Sequence, residues 1–167
     1  MSVTSVEKDF DELTLTLIAD FDAPLERVWQ LWADPRQLER WWGPPTHPAT
    51  FERHDLTPGG EVTYVMTGPE GEASRGWWRV ESAEPPRELE FTDGWADRDG
   101  APVPGAPTTA VTMRLAERDG GTRMHVRFAF ESREHMEEIA RMGAFDVFPQ
   151  SFGQMDALLT SPRPGGL

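Results

Sequence analysis

Cysteine is missing from this 167-residue chain, which removes disulfides, thiolate nucleophiles and metal sites built on sulfur. Lysine is nearly missing: Lys8 is the only one, so Schiff-base chemistry has no candidate in the body of the chain. Positive charge is scarce overall, with 16 Lys and Arg against 29 Asp and Glu and a net charge of −13. That balance argues against nucleic-acid backbones and anionic membrane surfaces, which need clustered basic residues. No run approaches the about 18 consecutive apolar residues of a membrane span. The start, MSVTSVEKDFDEL, is acidic and has no apolar core, so no signal peptide is expected and the cytoplasm is the expected compartment. Tyrosine occurs once, as Tyr64, against seven Trp and nine Phe. In a chain with a −13 charge, those aromatics need a reason.

Local patterning orders the chain. Leu13, Leu15, Leu17, Ala19 and Phe21 alternate with Thr14, Thr16, Ile18 and Asp20 and predict a strand with one dominant buried face. Asp22-Ala23-Pro24 reads as a helix start, followed by Val28, Leu31 and Trp32 at helical spacing. Asp34-Pro35 ends that helix and opens a second short one, closed by Gly43-Pro44-Pro45. From Ala49 the period becomes two. Strands are expected around Phe51, then Val62–Met66, Trp78–Val80, Leu89–Phe91, Val111–Leu115 and Met124–Phe130, joined by Gly- and Pro-rich turns. The stretch Ala96–Pro107 is long enough to act as a flap. Ser132 reads as an N-cap, and Phe148, Phe152, Met155 and Leu159 step along a final helix. Pro149 belongs in a first turn, so that helix is expected to start near Asp146 or Val147. Residues 1–12 are expected to be a flexible start, 13–160 one domain, and 161–167 a disordered tail.

No local motif announces catalysis. The four histidines show no metal-ligand spacing, and His54 and Asp55, as strand neighbours, point to opposite faces. No serine has a nucleophile-elbow context, and Gly59-Gly60 and Gly120-Gly121 are hairpin glycines rather than phosphate loops. No metal and no cofactor are expected. Arg53 and Asp55 share a face with Phe51 by alternation, which would place an ion pair at that strand end. Trp41-Trp42 and Trp77-Trp78 are adjacent pairs, so one member of each is expected away from the core. An outward Trp77 marks a candidate contact for a homodimer. Trp95 is placed to anchor the flap.

Several ordered motifs resemble a family. They are Ala23-Pro24-Leu25-Glu26-Arg27-Val28-Trp29, Asp34-Pro35, Trp41-Trp42-Gly43-Pro44, Asp55-Leu56-Thr57-Pro58-Gly59-Gly60, Met66 before Gly68-Pro69-Glu70-Gly71, and Gly76 before Pro85-Pro86-Arg87-Glu88-Leu89-Glu90-Phe91-Thr92. Together they resemble the Hsp90-ATPase-activator-homologue branch of the START-like (Bet v 1-like, SRPBCC) superfamily, over roughly residues 13–160.

The resemblance implies an α+β helix-grip fold. A curved antiparallel sheet of about seven strands wraps a long C-terminal helix, two short helices follow the first strand, and an apolar cavity separates sheet from helix. It implies a small hydrophobic or aromatic ligand in that cavity, with Trp41, Trp42, Phe51, Tyr64, Met66, Trp78, Phe91, Met113, Phe128, Phe148, Phe152 and Met155 as the candidate binding residues. Enzymes in the superfamily include aromatase/cyclases acting on polyketide chains, so a small-molecule enzyme using the same cavity, with Tyr64 and Asp55 as its polar residues, is the second expectation. A protein-interaction module like the family's co-chaperones is the third. Those co-chaperones carry a further N-terminal domain, and only about a dozen residues precede the first strand here, so their activity is not expected to carry over.

Overall fold

The computed structural model describes residues 3–160, and two strands open it: β1 (Val3–Asp9) and β2 (Thr14–Phe21). The expected flexible start is thus corrected over residues 3–9, which pair antiparallel with β2 from Val3↔Ala19 to Asp9↔Thr14. Strand β1 is exposed along most of its length. Main-chain pairing to a sheet edge holds it, and such pairing leaves no apolar alternation in the sequence. The turn between the strands is fixed by Asp9, whose Oδ1 accepts the Asp11 and Glu12 N–H groups. The expected disordered tail, 161–167, lies outside the described residues.

Two helices follow, α1 (Leu25–Ala33) and α2 (Pro35–Trp42). Asp34 caps α2, accepting the Arg36 N–H at 2.9 Å, and Pro35 fills the first helical position. Asp22 does not cap α1; Pro24 occupies that place without a side-chain cap. Six strands then run as a meander: β3 (Ala49–His54), β4 (Glu61–Thr67), β5 (Ala73–Glu84), β6 (Glu88–Ala96), β7 (Thr109–Arg118) and β8 (Gly121–Phe130). The sheet order is β1-β2-β8-β7-β6-β5-β4-β3, eight antiparallel strands where about seven are expected, and β1 is the addition.

Two further helices close the chain, α3 (Arg133–Arg141) and α4 (Ala144–Thr160). Ser132 caps α3 as expected, accepting the His135 N–H at 3.0 Å. Gly143, at φ +81°, turns the chain between the two helices. Helix α4 starts at Ala144, earlier than expected, and carries Pro149 inside it. One turn N-terminal to Pro149 is Phe145, buried against Phe130 and Phe10. Packing of that ring holds the added turn although Pro149 contributes no N–H to the helix.

The core lies between the concave face of the sheet and the helices, with Trp32 of α1 at its centre. The ring of Trp32 stands 4.6–6.5 Å from those of Trp41, Trp42, Trp78, Phe91 and Phe152. Its indole N–H is buried without a hydrogen-bond partner. Trp41 differs: its N–H donates to the Leu31 carbonyl at 2.8 Å. That carbonyl would ordinarily bond residue 35, a proline without an N–H, so the indole fills the gap. Trp41→Phe is expected to cost about 2–3 kcal/mol by orphaning the carbonyl, and Trp32→Phe about 1 kcal/mol less. Urea denaturation of the two variants checks this; equal losses would remove the Leu31 bond from the account.

Trp78 points into the core and Trp77 to the outer face, as adjacent strand residues must. The Trp77 ring covers Gly94, its cross-strand partner, and its N–H donates to the Trp95 carbonyl at 3.0 Å. The outward indole is therefore engaged within its own sheet.

Candidate functional site

A cavity of about 340 Å³ separates part of the concave face from α4. Seven of the twelve candidate binding residues line it: Trp41, Trp42, Tyr64, Met66, Phe128, Phe148 and Phe152. Phe51, Trp78, Phe91, Met113 and Met155 do not. They lie buried behind it, Trp78 stacked on Phe91 at 3.9 Å. One wall is a parallel stack, Phe128 of β8 on Phe148 of α4, with centroids 4.6 Å apart and planes 3° apart. Trp42, half-buried at the end of α2, stands edge-on to Tyr64 and Trp78 and forms the wall where the cavity meets the core.

The polar end of the cavity is built on glycine. Tyr64 (β4) faces Gly76 (β5) across the strand pair, and a Cβ at Gly76 would stand 2.3 Å from the Tyr64 ring. The missing side chain lets the phenol lie across β5 and reach β6. There its hydroxyl donates to Asp93 Oδ1 at 2.8 Å. Asp93 is half-buried and lines the cavity. Burial pushes its carboxyl up to about 7, although the Tyr64 hydroxyl and the Trp78 indole N–H both favour the charged form. Burial also pushes the Tyr64 hydroxyl well above its usual range. Asp93 adds to that shift and the Trp42 N–H opposes it. Near neutral pH the site thus holds a carboxyl group that exists in both protonation states, beside a neutral phenol.

His135 of α3 lines the cavity and is buried. Burial pushes its imidazole below the usual range, against the pull of Glu131 and Glu138. His47 also lines the cavity, 3.7 Å from Glu72. No Arg or Lys is among the lining residues. The expected flap contributes Pro107 and the partly exposed Trp95, tied by the Ala96↔Pro102 bridge and by the Val103 N–H donating to the Trp95 carbonyl.

Arg53 and Asp55 do not meet at the cavity. A register shift between Phe51 and Arg53 breaks the alternation. Arg53 instead pairs with Glu61 at 2.6 Å on the exposed face, and Asp55 accepts the Thr57 N–H and hydroxyl. The carboxylate at the cavity is Asp93, and its signal was the spacing Leu89, Phe91, Asp93 along one strand face. His135 carried no such signal, because a first helical turn is ordinarily solvated. Among the described residues, no group of three His, Asp or Glu is arranged to hold a metal. No helix among them is long and apolar enough to cross a membrane.

A helix-grip sheet closed over a long helix, with an aromatic cavity between, defines the class. The family described as Activator of Hsp90 ATPase homolog 1-like protein matches residues 22–160, and the chain belongs to that family. It is similar to protein Ms6760 of Mycobacterium smegmatis, with 45% identity over 97% of this chain and 99% of that one, at a TM-score of 0.87. A protein of Arthrobacter aurescens shares 48% identity over 97% of this chain and 94% of its own, at a TM-score of 0.91. DynU16, from the dynemicin biosynthetic locus, shares the fold at 19% identity and a TM-score of 0.67, over 93% of this chain and 50% of its own. No curated protein matches.

Proposed function

We propose that the protein binds a small, mainly apolar or aromatic molecule in the cavity between the sheet and α4. The observation that carries this reading is the open space of about 340 Å³ walled by Trp41, Trp42, Phe128, Phe148 and Phe152, beside a core of fully buried side chains such as Trp32, Trp78 and Phe91. Its size falls in the lower part of the about 300–1,000 Å³ range typical of small-molecule sites, and aromatic walls with one polar end are their usual lining. Displacement of a bound fluorescent probe by a panel of aromatic and lipid-like compounds tests it, with native mass spectrometry as the second readout. Micromolar displacement by aromatic compounds is expected; a panel in which nothing binds would overturn the proposal.

A second reading, catalysis on an aromatic or polyketide-like substrate, draws on Asp93. A carboxyl balanced near 7 beside a phenol has the pKa of a general acid or base. It places the polar roles on Asp93 and Tyr64 and gives none to Asp55.

A further inference from the structure

The side-chain hydrogen bond that Asp93 makes in the fold comes from a donor. The Tyr64 hydroxyl donates to the carboxylate at 2.8 Å, and on the neighbouring strand the buried indole N–H of Trp78, the cross-strand partner of Asp93, has no hydrogen-bond partner. Such a contact suits an anion. Yet no positive charge from the protein meets it: among the described residues no Arg, Lys or His pairs with Asp93, and none of the cavity lining is Arg or Lys. Basic side chains of the neighbouring strands are engaged with other carboxylates, as in Arg53–Glu61, Arg75–Glu52, Arg79–Glu81 and Arg123–Asp20. A carboxylate held by a phenol donor, facing a cavity and lacking a counter-ion, is half of an ion pair.

We propose that the cavity selects a hydrophobic amine, an aromatic molecule with one protonated nitrogen that pairs with Asp93 while its rings lie against Trp42, Phe128 and Phe148. The proposal rests on the cavity reading above and names its ligand class. Aromatic faces add to the attraction, since the ring quadrupole favours a desolvated cation. An anionic ligand of the same shape meets the opposite situation, a second negative charge beside Asp93 with no cation to relieve it. The net charge of −13 acts in the same direction at long range, drawing cations and repelling anions.

Protonation of Asp93 competes with the amine, so binding carries a pH signature. The groups around Asp93 are Tyr64 from β4, Trp42 from α2 and Thr109 from β7, all in the cavity lining, with Trp78 of β5 behind them as its cross-strand partner. The other titratable groups of the lining are His135 from α3 and His47, with Glu72 beside it.

Three probes of one skeleton separate the outcomes: naphthylmethylamine, naphthylmethanol and naphthoic acid, titrated calorimetrically at about pH 5 and about pH 8. At about pH 8 the amine is expected to bind about tenfold tighter than the alcohol, and the acid weaker than either. Between about pH 8 and about pH 5 the amine is expected to lose about tenfold, as Asp93 takes up a proton. Asp93→Asn is expected to remove the amine's advantage over the alcohol. Tyr64→Phe keeps the carboxylate but removes one donor, so the midpoint of the amine's pH dependence should move upward. Binding of the alcohol with no preference for the amine, or a preference that survives Asp93→Asn, would overturn this inference and leave the cavity reading standing. Failure of all three probes to bind would overturn both.

Discussion

Replacing Asp93 by Asn is expected to stabilise the folded protein at about pH 8 while changing it little at about pH 4. The carboxyl group titrates near 3.8 in the unfolded chain and at about 7 in the folded one. Below the lower value both states hold the proton and the group is neutral in its effect. Between the two values the unfolded chain releases a proton that the folded one keeps, so stability falls as pH rises, and the loss is complete above about 7. At about 1.4 kcal/mol for each pH unit, the loss amounts to about 4 kcal/mol, which Asn avoids while its carbonyl still accepts from Tyr64. His135 acts in the opposite direction over part of this range. Burial lowers its imidazole, so its contribution is lost as pH falls below its unfolded value. The two effects are separated by comparing denaturation of the parent and the variant at each pH, where His135 cancels. Parallel pH profiles would show that Asp93 is not held as described. A group that lowers stability at neutral pH is also the group that a cationic ligand would relieve, so the same pH range links folding and binding.

Gly76→Ala is expected to destabilise by about 3–5 kcal/mol, far more than an exposed strand substitution, combining overpacking with a lost hydrogen bond to a carboxylate. Gly76 is not at positive φ, so the backbone tolerates alanine. The obstacle is the phenol: both Tyr64 Cζ and Oη lie 2.3 Å from the added Cβ, and the ring is wedged between Phe51 at 5.2 Å and Trp42 at 5.8 Å. Relief requires the ring to leave β5, which breaks its bond to Asp93. A double-mutant cycle provides the check. With Tyr64→Ala in place the obstacle is gone, and Gly76→Ala should then cost under about 1 kcal/mol. Equal costs in both backgrounds would place the strain elsewhere.

The sequence pattern read the concave face well and its depth poorly. Alternation put Phe51, Trp78, Phe91 and Met113 on the same face as Tyr64 and Phe128, and all of them are buried there. What alternation does not carry is where a helix leans. Trp32 of α1 comes down over Trp78 and Phe91 and fills that half, leaving the cavity to the half beneath α3 and the start of α4. Arg53 and Asp55 were misplaced because one register shift reverses every residue beyond it. Asp93 was legible in its spacing from Leu89 and Phe91, but its weight comes from Tyr64, two strands away, and only the fold brings those together. Strand β1 was illegible for a different reason: an edge strand exposed along most of its length, with Val3 alone of its apolar residues packed against the core, carries little apolar code.

The sheet order also sets a schedule for synthesis. Strand β2 emerges early, yet the neighbour that completes it is β8, whose Ala129 pairs with Thr14. At about 5–20 residues per second, β2 waits on the order of ten seconds for that strand to be made. Through that interval its apolar face has no sheet and no C-terminal helix to cover it. Strand β1, carrying Glu7, Lys8 and Asp9, already occupies one of its edges. The segment that adds least to the core is thus the one available to shield the nascent chain from pairing with another copy of itself.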